Sequence, residues 1–425
     1  MTQVTAKTNK IVLSTAGTWG DVLPFIGLGR ALCARGRHVE LVANANFAHA
    51  ARAQGVPFVP LGSARDYQRA VRNPRLWHPR HGLKHLIDLL LPDPLMAFER
   101  LMERVELAHT TLVAHPLSFA ARLVQEKHAV ACISLVLSPC WFRSRYRVPV
   151  MVGAQDMSAM ARPLKSLMWR LADWLHVDPA VTPGLNKARR ALGLRPIRRP
   201  FDRWIYSPQL TLGLFPDWFA PAQPDWPTQL RLTGFAPSKS FVPVPEPVEA
   251  FLAAGSAPVV FAPGTGVADT DAFFETAQQA CRRIGRRGLL LSMQNKQPPP
   301  THDTDQFLHA PFAPLDAILA RCAALVHHGG IGTTAQALAA GIPQVVRPLT
   351  YDQPDNAACV QRLGIGTRIL PKHFTPSTLA LALDHLLTDP TTAQRNLALA
   401  STIDPTQTLE TICALLDDEK SGQQG

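Results

Sequence analysis

Short apolar runs alternate with helix-like segments at the start of the chain. The run 11–16 (IVLSTA) is followed by a glycine-containing turn, a helical pattern from about Pro24 to Gly36, and a second apolar run at 38–42. Continuous apolar runs of this length are typical of parallel strands that are buried on both faces. Pro near a helix start and Gly after its end are the usual limits of a helix. The pattern predicts a βαβ unit.

The same alternation returns in the second half of the chain. Strands are predicted at 258–262, 289–292, 324–327 and 344–346, and one of the helices is predicted to begin at about Asp271. Strands that alternate with helices indicate parallel sheets covered on both faces. The predicted fold class is therefore α/β, with two doubly wound Rossmann-like domains.

A proline-rich segment separates the two halves. Residues 236–248 (APSKSFVPVPEPV) contain four prolines, a composition that suits a stiff extended linker. We predict an N-terminal domain at 1–238, a linker at 239–248 and a C-terminal domain at 249–404. The segment 405–425 is predicted to be a helix with a polar tail, and its return to the N-terminal domain is one arrangement that the pattern allows.

An amphipathic helix is predicted within residues 160–177 (MARPLKSLMWRLADWLHV). Its apolar positions recur with the period of a helix and form one stripe. The stripe consists of Leu164, Leu167, Met168, Leu171, Trp174 and Leu175. Most such stripes face a core. The alternative is a lip for an amphiphilic ligand or a contact with a membrane surface.

Length and charge narrow the class of protein. A chain of 425 residues can form two domains, each with its own core. The net charge is +11, and residues 143–203 contain thirteen Lys and Arg against four acids. This bias suits nucleic acid, an anionic membrane surface or an acidic substrate, and a solvated basic face is the plain alternative. No nucleic-acid-binding motif occurs, so no nucleic acid partner is expected.

The cysteines and the chain start indicate a reducing compartment. The seven cysteines are scattered and form no C-x-x-C pair, so neither a disulfide framework nor a zinc site is predicted. No apolar stretch reaches the roughly 20 residues that span a bilayer. The first residues lack a signal-peptide pattern. We expect a cytoplasmic protein.

The segment 324–346 (ALVHHGGIGTTAQALAAGIPQVV) carries the most specific pattern. A strand leads through His328 and several glycines into a helix, whose open N-terminus offers N–H groups and positive dipole character to an anion. We interpret it as a phosphate cradle, with a plain strand-to-helix turn as the alternative. The loop of Gly264 and Thr265 follows another strand and adds donors. Together the two loops suggest a diphosphate clamp.

Other site patterns are weaker or missing. The P-loop pattern is absent, and the first strand is not followed by G-x-G-x-x-G, so ATPase and nicotinamide functions are not favoured. Two Asp-x-Asp triplets, 269–271 and 303–305, are interpreted as a helix cap and a polar loop, and no metal site is predicted. Asp352 and Gln353 follow the strand 344–346 and suit the hydroxyls of a sugar. A helix cap is the alternative for Asp352.

Two long motifs resemble a known family. Residues 327–357 (HHGGIGTTAQALAAGIPQVVRPLTYDQPDNA) resemble the donor-binding signature of metal-independent GT-B glycosyltransferases of family 1, which include plant, macrolide and sterol enzymes. Residues 17–39 (GTWGDVLPFIGLGRALCARGRHV) resemble the acceptor-side signature. In this family two Rossmann-like domains face each other across a cleft. NPRLWHP, SPQLTLGLFPDWFAPAQPDWP and LTGFAP further resemble the rhamnosyltransferases of rhamnolipid synthesis, along nearly the whole chain.

The resemblance implies roles for particular residues. The phosphates of the donor would contact His328, Gly332, Thr333, Gly264 and Thr265. The nucleobase and the ribose would contact Phe312, Ala313 and Gln336. The donor sugar would contact Asp352 and Gln353. Gln336 stands where plant members have a glutamate, which makes its ribose contact less secure. Asp21 stands where plant members have a histidine base, and it would accept the acceptor's proton as the new bond forms. Helix capping is the alternative for Asp21.

The implied reaction is an inverting transfer of L-rhamnose from dTDP-L-rhamnose to the hydroxyl of a 3-(3-hydroxyalkanoyloxy)alkanoate, giving a mono-rhamnolipid. No metal and no cofactor beyond the co-substrate are expected. Part of the 143–203 segment is expected to line the acceptor pocket. The expected partners are the nucleotide-sugar donor and the lipid acceptor. A functional pairing with the enzyme that makes the lipid acceptor and a peripheral contact with the inner membrane are also expected. The alternatives are a UDP-sugar-dependent glucosyltransferase acting on a sterol, macrolide or other lipophilic alcohol, and a non-catalytic nucleotide-sugar-binding protein.

Overall fold

The computed structural model describes residues 10–78, 81–151, 156–157, 159–237, 240, 242–264, 270–292 and 305–421. The chain divides into two compact units. The first consists of Met1–Pro149, Asp156–Gly234 and Thr406–Gly425, and the second consists of Val150–Gln155 and Phe235–Pro405.

The described part of the first unit is built on a seven-stranded parallel sheet. Its strands are β1 (Lys10–Ser14), β2 (Val39–Ala43), β3 (Phe58–Pro60), β4 (Thr110–Ala114), β5 (Ala131–Val136), β6 (Leu210–Gly213) and β7 (Leu230–Leu232). Their order is β3-β2-β1-β4-β5-β6-β7. The order reverses between β1 and β4, which pair in parallel with Ser14 opposite Ala114. In such a sheet the reversal point is where a ligand crevice forms at the carboxyl ends of the strands.

Helices connect these strands. They are α1 (Trp19–Ala34), α2 (Ala48–Ala53), α3 (Ala64–Val71), α4 (Gly82–His85), α5 (Pro94–Met102), α6 (Phe119–His128), α7 (Arg162–Ala172) and α8 (Asp178–Ala191). Leu86–Leu90 continues α4 as a π-helical turn, and Asp173–Val177 joins α7 to α8 in the same form. α1 begins at Trp19, ahead of the predicted Pro24, because the Thr18 cap starts the helix early.

The amphipathic stripe of α7 lies on the surface and not against the core. Leu164, Leu167 and Leu171 are exposed, as are Trp174 and Leu175 in the following turn. The opposite side of the helix carries buried polar residues that are paired within the first unit. The expectation that this stripe faces a core is therefore not met.

The described part of the second unit holds a six-stranded parallel sheet. Its strands are β8 (Val259–Ala262), β9 (Gly288–Leu291), β10 (Phe307–Ala310), β11 (Ala324–His327), β12 (Gln344–Val346) and β13 (Gly366–Arg368). Their order is β10-β9-β8-β11-β12-β13, so the reversal lies between β8 and β11. Ala262 pairs with His327 at this point, which places the loops after β8 and β11 side by side.

Helices cover this sheet in two apolar clusters. The helices are α9 (Glu246–Ala253), α10 (Asp271–Arg283), α11 (Leu315–Ile318), α12 (Ile331–Ala339), α13 (Gln353–Arg362), α14 (Pro376–Thr388) and α15 (Pro390–Ala400). One cluster joins α10 and α14 to the strands, and the other joins α9 and α11 to them. α9 begins inside the predicted 239–248 linker, because Val248 is buried in the second cluster.

The last helix, α16 (Pro405–Ser421), belongs to the first unit from Thr406 onward. Its Ile412, Cys413 and Leu416 are buried. Arg37 at the end of α1 forms an ion pair with Asp417. The chain therefore starts and ends in one unit.

Two leucines on α14 test the assignment of its faces. Leu383 is fully buried and Leu381 is 73% exposed. We expect Leu383→Ala to lower the free energy of unfolding by about 2–5 kcal/mol, because it leaves a cavity in the core. Leu381→Ala should change it by about 0.5 kcal/mol or less. Urea unfolding followed by circular dichroism measures both, and equal losses would contradict the assignment.

Candidate active site

The loop after β11 presents a helix N-terminus at the reversal point of the second sheet. Gly330 caps α12, and the first helical bond runs from the Thr334 N–H to the Gly330 carbonyl at 3.0 Å. The N–H groups of residues 331–333 precede this bond, as the first N–H groups of any helix do. Gly332 has open space where a Cβ would stand. This end of α12 is therefore open to an anion.

The His328 ring fits between two glycines. A Cβ at Gly264, where φ is +109°, would lie 3.0 Å from its Nδ1, and a Cβ at Gly330 would lie 2.7 Å from its Nε2. Any larger residue would have to displace the ring. The structure thus brings Gly264 and His328 together, as the diphosphate-clamp interpretation requires.

His328 is half-buried in the loop after β11. Burial lowers its pKa from the usual 6.5 to about 4, although the Ala262 carbonyl favours the protonated ring. Its Nδ1 has no hydrogen-bond partner among the residues that the structure describes. A neutral imidazole carries one N–H. That group suits a diphosphate oxygen, with the positive charge left to the helix end.

His327 is structural. It is fully buried, its Nδ1 accepts from the Gly329 N–H at 3.1 Å, and its Nε2 lies 3.0 Å from the Gln344 side-chain oxygen. This pattern places the ring proton on Nε2. The first of the paired histidines therefore shapes the loop that presents the second.

Asn356 ties the loop after β12 to the histidine loop. Its amide nitrogen donates to the Gly329 carbonyl at 2.9 Å and to Asp352 Oδ2 at 2.8 Å. Asp352 is thereby held beside the histidine loop, which follows β11. Sequence analysis assigned no role to Asn356, although it lies in the quoted DQPDN segment.

Gln353 is buried and shapes its own loop. Its side-chain oxygen accepts from the N–H groups of Leu349 at 2.8 Å and Thr350 at 3.2 Å. A contact with the donor sugar would therefore fall to its amide nitrogen. The sugar-binding roles of Asp352 and Gln353 stay predictions.

The other predicted donor contacts lie in the second unit. Phe312 is 41% exposed just after β10, whereas Ala313 is buried. Thr333 and Gln336 are half-buried on α12. Thr265 and the acids Asp269 and Asp303 lie outside the described residues. The roles of all these residues stay predictions.

In the first unit, Asp21 uses one oxygen for the cap of α1. Its Oδ2 accepts from the Thr18 N–H at 2.7 Å and from the Thr18 hydroxyl at 3.2 Å. Gly17 has φ +132°, and a Cβ there would lie 2.2 Å from this oxygen. The cap and the base were alternatives in the sequence. The structure assigns the cap to Oδ2, and the role of Asp21 as a base stays a prediction.

His115 is a site residue that sequence analysis missed. It follows β4 at the reversal point, and its Nδ1 accepts from the Leu117 N–H at 3.2 Å, which places the ring proton on Nε2. Nε2 lies 3.6 Å from Asp21 Oδ1. Burial lowers the pKa of His115, and Asp21 acts in the opposite direction. The only signal available was a histidine directly after the apolar run TTLVA.

A cavity of about 170 Å³ lies next to the loop that precedes α1, where its lining includes Thr15, Ala16 and Gly17. It is lined by the loops after β1, β2 and β3, by Tyr67, and by the apolar segment 89–92 with Met96. Burial raises the pKa of Tyr67, and the charge of Asp21 acts in the same direction. None of the lining residues comes from 143–203, and the expectation that part of this segment lines the acceptor pocket stays a prediction.

Family models match both units. Residues 11–139 match the glycosyltransferase family 28 N-terminal domain, whereas the sequence resemblance was to family 1. Residues 290–413 match the C-terminal domain of the erythromycin biosynthesis protein CIII-like family. The O-mycaminosyltylonolide 6-deoxyallosyltransferase of Streptomyces fradiae is 30% identical over 96% of this chain and 97% of its own length. The chain belongs to this glycosyltransferase family.

Solved structures place the glycosyltransferase in the GT-B fold. The glycotransferase of kitacinnamycin has a TM-score of 0.73 at 19% identity, covering 97% of this chain and 99% of the other. The spinosyn rhamnosyltransferase SpnG, complexed with thymidine diphosphate, has a TM-score of 0.65 at 18% identity, covering 95% and 99%. The chain is therefore a glycosyltransferase, and the non-catalytic alternative is not supported.

The described residues of the glycosyltransferase bear on a metal ion and on a membrane as partners. Within the described ranges, no group of three or more His, Cys, Asp or Glu could hold a metal ion. Among the helices that the structure describes, none is long and apolar enough to cross a bilayer. Metal independence stays a prediction.

His327 makes the second unit sensitive to acid. Burial lowers the pKa of His327 from 6.5 to about 3. Below pH 6.5 this histidine is therefore protonated in the unfolded chain but not in the folded chain. Stability is full above pH 6.5 and falls with decreasing pH, by about 1.4 kcal/mol per pH unit for one such group. His327→Gln should lose this slope. Urea unfolding between pH 7 and pH 5 measures it, with the exposed His373→Gln as the control, and an unchanged slope in His327→Gln would contradict it.

Proposed function

We propose that this glycosyltransferase moves L-rhamnose from dTDP-L-rhamnose to the hydroxyl of a 3-(3-hydroxyalkanoyloxy)alkanoate, with inversion and without a metal. The product is a mono-rhamnolipid. The proposal combines a base in the first unit, an anion-binding helix end in the second, and the chemistry of the cavity beside the base.

The apolar-walled cavity next to the loop that leads to Asp21 carries the proposal. The cavity wall combines Leu89, Leu90 and Leu91 with the polar side chains of Asn44 and Tyr67. A lipid with one free hydroxyl needs both kinds of surface, because its chains favour the leucines and its hydroxyl needs polar contacts near the base. Water-soluble alcohols would leave the leucines uncovered.

The names of the relatives support the donor. The Streptomyces fradiae relative is named as a transferase of 6-deoxyallose, and L-rhamnose is also a 6-deoxyhexose. SpnG is named as a rhamnosyltransferase complexed with thymidine diphosphate. A thymidine-linked 6-deoxy sugar is therefore the donor class we favour over UDP-glucose.

The proposed mechanism is a direct displacement. The acceptor hydroxyl attacks the anomeric carbon, its proton passes to Asp21 Oδ1, and the bond to the diphosphate breaks. His115 Nε2 lies 3.6 Å from the oxygen that receives the proton and is proposed to position that oxygen when the substrates are bound. The neutral His328 and the first N–H groups of α12 stabilise the departing diphosphate as preorganised donors. Thr265 is expected to add a hydroxyl there.

Replacement of Asp21 separates base from cap. Asp21→Asn keeps an oxygen for the Thr18 N–H but cannot take the proton, so kcat should fall by about 10²–10⁴-fold at nearly normal stability. Asp21→Ala should lose the same activity and also about 1 kcal/mol of stability with its cap. Thymidine diphosphate affinity, measured by calorimetry, should stay unchanged in both. Normal turnover of Asp21→Asn would show that Asp21 is only a cap.

His115 variants complete this series. As a positioning residue, His115 should affect kcat and leave the donor KM unchanged. His115→Ala should lower kcat, and His115→Gln should restore part of it because its amide keeps an N–H near Asp21. Equal kcat in His115→Ala and the parent enzyme would remove this role.

Donor and acceptor are tested by nucleoside-diphosphate release. The enzyme is incubated with dTDP-L-rhamnose or UDP-glucose, with and without the hydroxyalkanoyloxyalkanoate lipid, in EDTA throughout. We expect lipid-dependent release from dTDP-L-rhamnose alone. Release only from UDP-glucose would transfer the function to the glucosyltransferase alternative. A macrolide aglycone accepted at a higher kcat/KM than the lipid would overturn the acceptor, as would equal rates with short soluble alcohols.

A further inference from the structure

Helix α7 and the turn after it show an outward apolar face. Its members are Leu164 (55% exposed), Leu167 (52%), Leu171 (45%), Trp174 (70%) and Leu175 (54%). We term these five residues the leucine–tryptophan face. Single exposed leucines are common on protein surfaces, but five large apolar side chains on one helical stripe are not.

Buried charges fix the orientation of this helix. Lys165 is 2% exposed and donates to the Tyr146 carbonyl at 3.1 Å. Asp173 is completely buried and pairs with Arg143 and with Arg199, whose Nε lies 2.7 Å away. Rotating the leucines inward would expose or break these pairs, and a buried carboxylate without its partners is strongly unfavourable. The outward apolar face is therefore built into the fold.

Two exposed arginines of α7 border the face. Arg170 is exposed on α7 itself, and Arg162 at its start is exposed and lies over the Tyr146 ring. Of the four acids between 143 and 203, three are engaged by Arg199, and these are Asp173, Asp178 and Asp202. The remaining surface charge of this segment is dominated by arginine and lysine. A partner with negative charge beside an apolar layer complements it.

We propose that the leucine–tryptophan face docks on an anionic lipid bilayer, with α7 lying in the plane of the interface. Leucines enter the acyl boundary, Trp174 takes the interfacial position that suits its amphipathic ring, and Arg170 meets lipid phosphates. The cationic margin favours this occupant over a second copy of the chain, whose matching face would bring the same cations into contact.

The face adjoins the element that bears the cavity mouth. α4 contacts the Asp173–Val177 turn, and its π-helical continuation carries Leu89 and Leu90 of the cavity wall. Docking would therefore bring the acceptor cavity close to the lipid phase. This consequence for acceptor delivery rests on the proposed function, whereas the docking itself does not.

Vesicle binding tests the proposal without donor or acceptor. The full chain is sedimented with vesicles of phosphatidylcholine alone or with added phosphatidylglycerol. We expect binding that requires phosphatidylglycerol and falls by about tenfold or more in the Leu167→Glu/Trp174→Glu double variant. The matched control, Leu381→Glu/Leu397→Glu, changes two exposed leucines of the second unit and should bind normally. Circular dichroism and light scattering confirm that each variant folds and report its oligomeric state.

Three results would overturn the proposal. The parent chain does not sediment with phosphatidylglycerol vesicles; the double variant binds as well as its control; or the parent is a dimer that the double variant converts to a monomer. Brominated lipids should also quench the fluorescence of Trp174, as judged against Trp174→Phe. Vesicle binding in a protein that fails the rhamnosyl-transfer assay would keep the docking surface and reject only the acceptor.

Discussion

The reversal of strand order at the centre of each sheet is the constraint on which both halves of the site depend. At β1 and β4, and again at β8 and β11, the following connections leave to opposite sides, so the adjacent strand ends are not covered by one helix. Asp21 and His115 meet at the first reversal, and Gly264 and His328 meet at the second. The candidate site residues therefore lie where the topology leaves the strand ends open.

Several polar side chains at these points make structural bonds that also fix their direction. Asp21 caps α1 with one oxygen and keeps the other toward His115. Asn356 joins two loops through one amide group. His327 uses Nδ1 within its own loop and Nε2 toward Gln344 of β12, so both of its ring nitrogens make structural contacts. Because the bonds that hold each group also fix its direction, little reorganisation is needed when charge develops.

On α7 the buried side is polar and the exposed side is apolar. Its buried side is held by ion pairs and its outer side is apolar, so the helical period of the stripe identified a face without telling which way it points. The direction depends on Arg143 and Arg199, which lie outside the helix and reach Asp173 only in the folded unit. Because the buried ion pairs of Asp173 fix the orientation of the helix, the leucines of α7 face outward.

The sequence by itself determined the α/β class, the strands 324–327 and 344–346 at their observed bounds, and the start of α10 at Asp271. Buried parallel strands need continuous apolar residues, and that requirement is visible in the letters. The glycines and His328 were also visible in the sequence, because they follow one another in a single loop between a strand and a helix. Only the tertiary structure decided that His115 faces Asp21, that Asn356 holds Asp352 beside Gly329, and that the α7 stripe turns outward. These contacts join residues brought together by crossovers and strand register, which local spacing does not encode.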